Sequence, residues 1–133
     1  MLRRLLQLVA LVAAVAVAVA VGTAVRQHRA GPGPVAVARE ATTAYAAGDC
    51  RALRKVSFDP GLVDCRDVSG VRDAYRAEGL RPDTFRYELV ARDDLVASVR
   101  IAYRRDGEQA EEIVRLQRRD DDWLVVATPI GAS

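Results

Sequence analysis

From Leu5 to Val25 the chain runs for 21 residues without a charge. That stretch constrains the protein more than any other, because it must be kept out of water or removed. As an α-helix rising about 1.5 Å per residue it reaches roughly 30 Å, the thickness of a bilayer's hydrocarbon core. The alternation of Val and Ala from Val15 to Val21 also suits a strand. A lone strand, however, leaves its backbone polar groups unpaired in lipid, so a helix is expected. A secretory signal has a shorter apolar core, about 7–15 residues, and a small-x-small cleavage site. Ala18-Val19-Ala20 and Gly22-Thr23-Ala24 both offer such a site, so a cleaved signal stays open as the alternative. The length of the run favours an uncleaved anchor occupying residues 1–29.

Charge does not orient that anchor. Arg3 and Arg4 precede the run and Arg26 and Arg29 follow it, so the positive-inside count is a tie. These four also account for the chain's net charge of +2: the remainder sets 16 cations against 18 acids, a net of −2. A slightly acidic domain lacks the basic field that nucleic-acid binding requires, and no nucleic-acid partner is expected.

The two cysteines break the tie. Cys50 and Cys65 enclose Asp59-Pro60-Gly61, a strong turn signal that lets the chain double back. A bridge closing a loop of this length stabilises by about 3 kcal/mol in the chain-entropy model. It persists only in an oxidising compartment, which puts the domain outside the cytoplasm and the N-terminus inside. A metal site wants more ligands, and the one histidine, His28, lies beside the apolar run. A redox pair prefers Cys-x-x-Cys spacing.

About 100 residues remain for one domain with one modest core. Residues 30–34, with two glycines and two prolines, form a short tether before a domain over residues 35–133. Val37, Ala41, Ala44 and Tyr45 make one apolar stripe, predicting a helix from Val35 to Ala47 that ends at Gly48. Asp49 caps a shorter helix to about Val56. Ser69 is expected to start another, with Val71, Ala74 and Tyr75 inward, ending at Gly79. From Thr84 the period changes to two, and four strands separated by acidic turns follow. Phe85, Tyr87, Leu89 and Ala91 are expected to face inward. Arg86, Arg92, Arg100, Arg104 and Arg115, with Glu88 and Glu111, are expected on the opposite face. That face reads as the ordinary solvated side of the sheet, or else as a cationic strip for an acidic partner or lipid headgroups. The class is α+β: helices packed on a curved four-stranded antiparallel sheet.

Two segments carry a resemblance. Tyr45-Ala-Ala-Gly-Asp-Cys50 ends one helix in a Gly-Asp step before the next, and Ile113 to Val126 reads as a terminal hairpin with an acidic turn and Trp123. In these the chain, from about Val35 to Ile130, resembles small bacterial members of the nuclear transport factor 2-like superfamily, the cystatin-like cone. It is also similar to membrane-anchored accessory proteins of bacterial lipid importers. The resemblance implies a sheet wrapped around the helices, with a pocket at the open end. Enzymes of this shape, such as steroid isomerases and dehydratases, place an Asp or an Asp-His pair with tyrosines in that pocket.

Tyr45, Tyr75, Tyr87 and Tyr103 are the candidate lining residues, although inward aromatics more often serve as core. His28, the one histidine, lies in the juxtamembrane stretch outside the domain, so an Asp-His pair or a Ser-His-Asp triad is not expected. Gly31 and Gly33 are interrupted by prolines, and Asp120-Asp121-Asp122 lacks the spacing of a calcium loop. No catalytic residue, cofactor or metal is therefore expected. The expected function is non-catalytic: binding a small apolar ligand or docking an envelope protein. A pocket enzyme of isomerase or dehydratase type and a structural homodimer subunit are the alternatives.

Overall fold

Residues 31–126 are described by the computed structural model, and the anchor expected over residues 1–29 lies outside them. Among the described residues no helix is long and apolar enough to cross a membrane. Helix α1, Pro34–Ala47, opens on a proline, whose missing N–H costs nothing in a first turn. Val37, Ala38, Ala41 and Ala44 recur at helical spacing and are buried, and their small side chains let the helix lie close on the sheet. Gly48 ends it in the left-handed region at φ 67°, where its N–H donates to Tyr45 O and the Asp49 N–H to Ala44 O.

Asp49 then caps α2, Cys50–Lys55, its Oδ1 accepting from the Ala52 N–H at 3.0 Å. Helix α3 covers Cys65–Glu78 and so starts four residues before the expected Ser69. The cause is Asp64, whose Oδ1 accepts from the Arg66 N–H at 2.8 Å and caps the helix there. Val68 is buried, and Val71 and Tyr75 are half-buried along one stripe; Ala74, expected inward, is off that stripe and exposed. Cys50 and Cys65, the first residues of α2 and α3, are joined by a disulfide with their Cα atoms 5.4 Å apart.

Strands β1 (Arg86–Arg92), β2 (Val96–Arg105), β3 (Glu108–Arg119) and β4 (Asp122–Val125) form one antiparallel sheet in that order. Asp106 and Gly107 both have positive φ, 50° and 80°, as a two-residue hairpin between Arg105 and Glu108 requires. At the β1–β2 turn, Asp93 Oδ1 accepts from the Leu95 and Val96 N–H groups, both at 2.8 Å. Those bonds hold the Asp93 carboxyl below its ordinary range.

One irregularity reverses an expectation. Leu89 pairs with Val99, but the next pair is Ala91 with Ser98, so Val90 is an extra residue and β1 bulges. The parity of the strand flips there. Ala91 joins the outer face and is exposed, whereas Arg92 turns inward opposite Ala97 and lays its guanidinium 5.3 Å from the Trp123 ring centre. The other predicted outer arginines keep their side of the ladder.

The main core lies between α1–α3 and the inner sheet face, where Val37, Ala38, Leu53 and Val68 meet Ala97, Val99, Leu116 and Trp123. The segment after α2 closes the far edge. Val125 N–H donates to Val56 O at 2.7 Å and Phe58 N–H to Val125 O at 2.8 Å, forming a short parallel bridge at Ser57.

Candidate functional site

The local sequence after α3 concentrates aromatic side chains. Gly79 ends the helix at φ 65°, Leu80 is buried, and a 3-10 turn over Pro82–Thr84 delivers Phe85 to the start of β1. Leu80, Phe85 and Ile101 form a second cluster, with Tyr75, Tyr87 and Tyr103 packed against it half-buried. Phe85 stacks on Tyr103 with ring centres 4.8 Å apart and meets Tyr75 edge-on at 6.2 Å. Tyr87 donates its hydroxyl to Pro82 O at 3.2 Å, with the Arg39 guanidinium 4.9 Å from its ring centre. Three of the four candidate tyrosines are thus gathered. Tyr45 is apart from them, packed on the main core.

Glu112 was not singled out by sequence. It faces inward because it shares the parity of Val114 and Leu116 and pairs with Ile101. Alternation extended two residues back from Val114 would have found it. Burial, then Glu112, then Asp67 raise the Tyr45 hydroxyl above its ordinary range. Burial followed by Glu112 does the same more strongly for Tyr75, with Tyr103 and Tyr87 adding to it and Arg105 opposing. For Tyr87 burial wins over the nearby Thr42 hydroxyl and Arg39, and its hydroxyl is also raised. All three phenols are therefore neutral donors at ordinary pH, and the one inward carboxylate in reach of two of them is exposed.

Two depressions of about 460 Å³ each adjoin the aromatic cluster. Tyr103 and Phe85 line the first with Leu80; Tyr87 and Phe85 line the second with Arg39. The two share Phe85, Arg86, Ala102 and Gln109, so they adjoin across one wall. A separate groove of about 380 Å³ runs along the outer side of α1 and α2, past Ala36, Thr43 and Ala52. Among the described residues no three His, Cys, Asp or Glu side chains converge as a metal site.

No family model matches the chain, and no curated protein matches it. Among solved structures, it superimposes on a Campylobacter jejuni protein that carries the name NTF2-like transpeptidase. The TM-score is 0.58 at 16% identity, over 73% of this chain and 100% of that one. The fold is nuclear transport factor 2-like. At that identity the match speaks for the fold alone, and within the fold the aromatic cluster flanks the end of the sheet where β1 begins and β2 ends.

Proposed function

We propose that this chain is a membrane-anchored, extracytoplasmic, non-catalytic module that binds a small apolar ligand at the aromatic end of its cone. The observation that carries the reading is the half-buried set of Tyr75, Tyr87 and Tyr103 around Phe85, beside two depressions within the size range of ligand pockets. Stacked rings edged by phenol hydroxyls offer apolar contact with a few directional groups, beside a polar rim. The bridge between Cys50 and Cys65 supports the extracytoplasmic side, and the uncharged run supports the anchor. The name of the structural neighbour is not carried over to this chain, because at 16% identity the likeness is one of fold. Native mass spectrometry of the full chain purified from membranes tests the reading. A bound non-protein mass that disappears in Tyr103→Ala is expected; wild-type protein without any adduct ends it.

Glu112 favours a second reading, a pocket enzyme of isomerase or dehydratase type. A carboxylate within electrostatic reach of Tyr45 and Tyr75 has the parts for proton transfer. Its exposure weighs against it, because a catalytic carboxylate is usually tuned by burial. Docking of an envelope protein and pairing of two copies through the sheet are further outcomes, which light scattering and crosslinking in membranes distinguish.

A further inference from the structure

The charges around the aromatic cluster are unevenly compensated. In the middle of the outer sheet face, Arg100 lies between two acids, 3.2 Å from Glu88 and 3.6 Å from Glu111. At the end of the sheet the pattern changes. The depression walled by Phe85 and Tyr103 is lined by Arg81, Arg86 and Arg104, and no carboxylate lines it. Arg81 is paired with Asp83 at 2.9 Å. Arg104 spends one nitrogen on the Gly107 carbonyl at 3.2 Å, which leaves its charge unbalanced. Arg86 makes no ion pair among the described residues. Its neighbour across the ladder is Ala102, whose small side chain leaves the space between the guanidiniums open. Two guanidiniums without an ion-pair partner among the described residues therefore line one cavity. A planar guanidinium fork matches phosphate oxygens in pairs, and two of them match a phosphate group in charge.

We infer that this cavity is a binding site for a phosphate ester, its phosphate held by Arg86 and Arg104. The site extends the reading above by giving the ligand a charged head. The apolar body rests on that reading, whereas the head site stands on the arginines alone. A phosphate ester has two sources, a phospholipid headgroup or a free soluble ester. Residues 26–33 separate Pro34 from the apolar run, a reach of at most about 30 Å. If the run is an anchor, headgroups lie within range of the domain.

The test uses the full chain in nanodiscs, read by NMR of the arginine Nε–H groups. Glycerol phosphate added to phosphatidylcholine discs is expected to shift Arg86 and Arg104 saturably if the free ester is the source. Discs of phosphatidylglycerol shift the same groups with nothing added if the headgroup is the source. Arg86→Gln weakens either response at least tenfold, while Arg115→Gln, on the same face further from the cavity, leaves it unchanged. Arg104→Gln serves in its place if circular dichroism finds Arg86→Gln unfolded. No saturable shift from either source overturns the site, as does equal weakening by Arg115→Gln. Loss of the co-purifying apolar mass with retention of the glycerol phosphate response removes only the earlier reading.

Discussion

Replacing Cys50 and Cys65 together by alanine opens a loop of sequence separation 15. In the chain-entropy model, constraint of such a loop in the unfolded state is worth about 3 kcal/mol at 25 °C. What remains to hold α2 is slight. It has six residues, well below the length at which a helix persists alone, and within it only Leu53 is fully buried. The unfolded chain gains freedom while the native contacts of α2 stay weak, so both effects act in one direction. A domain of about this size has roughly 5–15 kcal/mol in all. Three kcal/mol corresponds to a fall of roughly 12–24 °C in Tm. The assay is urea unfolding followed by Trp123 fluorescence, for the wild type with and without reductant and for the double variant. Reduced wild type and double variant are expected to share a midpoint well below that of the oxidised protein. If all three coincide, the bridge does not constrain the unfolded chain and the argument is refuted. Rapid labelling of both thiols in native protein from membranes would also remove the case for an oxidising compartment.

Other substitutions read single features. Leu116→Ala empties a fully buried position between sheet and helices and is expected to cost about 2–5 kcal/mol in chemical denaturation. Gly48→Ala forces a left-handed conformation on a residue with a Cβ, about 1–2 kcal/mol, and the new atom would sit 2.7 Å from Arg72 Cδ. Thermal melts should therefore place it clearly below the wild type, whereas Gly70→Ala, with open space around it, should not fall. Tyr75 has a raised pKa in the folded state, so its contribution is complete below the ordinary tyrosine value of about 10 and is lost as pH rises beyond it. Stability should fall above about pH 10, less steeply in Tyr75→Phe, and Glu112→Gln should lower the alkaline titration of the tyrosines seen by ultraviolet absorbance.

Much of this architecture was readable from local chemistry. Gly48 and Gly79 end their helices because only glycine enters the left-handed region without penalty, and that requirement is written at single positions. Asp49 caps α2 for an equally local reason. The pairing of the cysteines followed from there being only two and a turn between them. What escaped was non-local or cumulative. An extra residue at Val90 leaves no mark on hydropathy, yet it exchanged the faces of Ala91 and Arg92. Asp64 was passed over as the start of α3 because the apolar period of that helix is weak in its first turn, where Arg66 and Asp67 stand. The tyrosines were legible as inward residues, but which of them meet depends on how α3 and the 3-10 turn bring Tyr75 and Phe85 together across ten residues. Glu112 was hidden by its charge, since an inward carboxylate is the exception that periodicity is used to exclude.

The two borders of the sheet limit how copies of this chain can aggregate. A straight, unpaired strand invites another molecule to extend the sheet by main-chain bonding. Here β4 already has Val56 to Phe58 bonded along its free side. On the opposite border β1 is broken by the bulge at Val90 and followed by a turn held by Asp93. The regular run left free on β1 is short, Arg86 to Leu89, and β4 has only four residues, with Val125 already bonded. Borders this short give an incoming strand few main-chain bonds, which disfavours fibrillar stacking when such domains are crowded side by side.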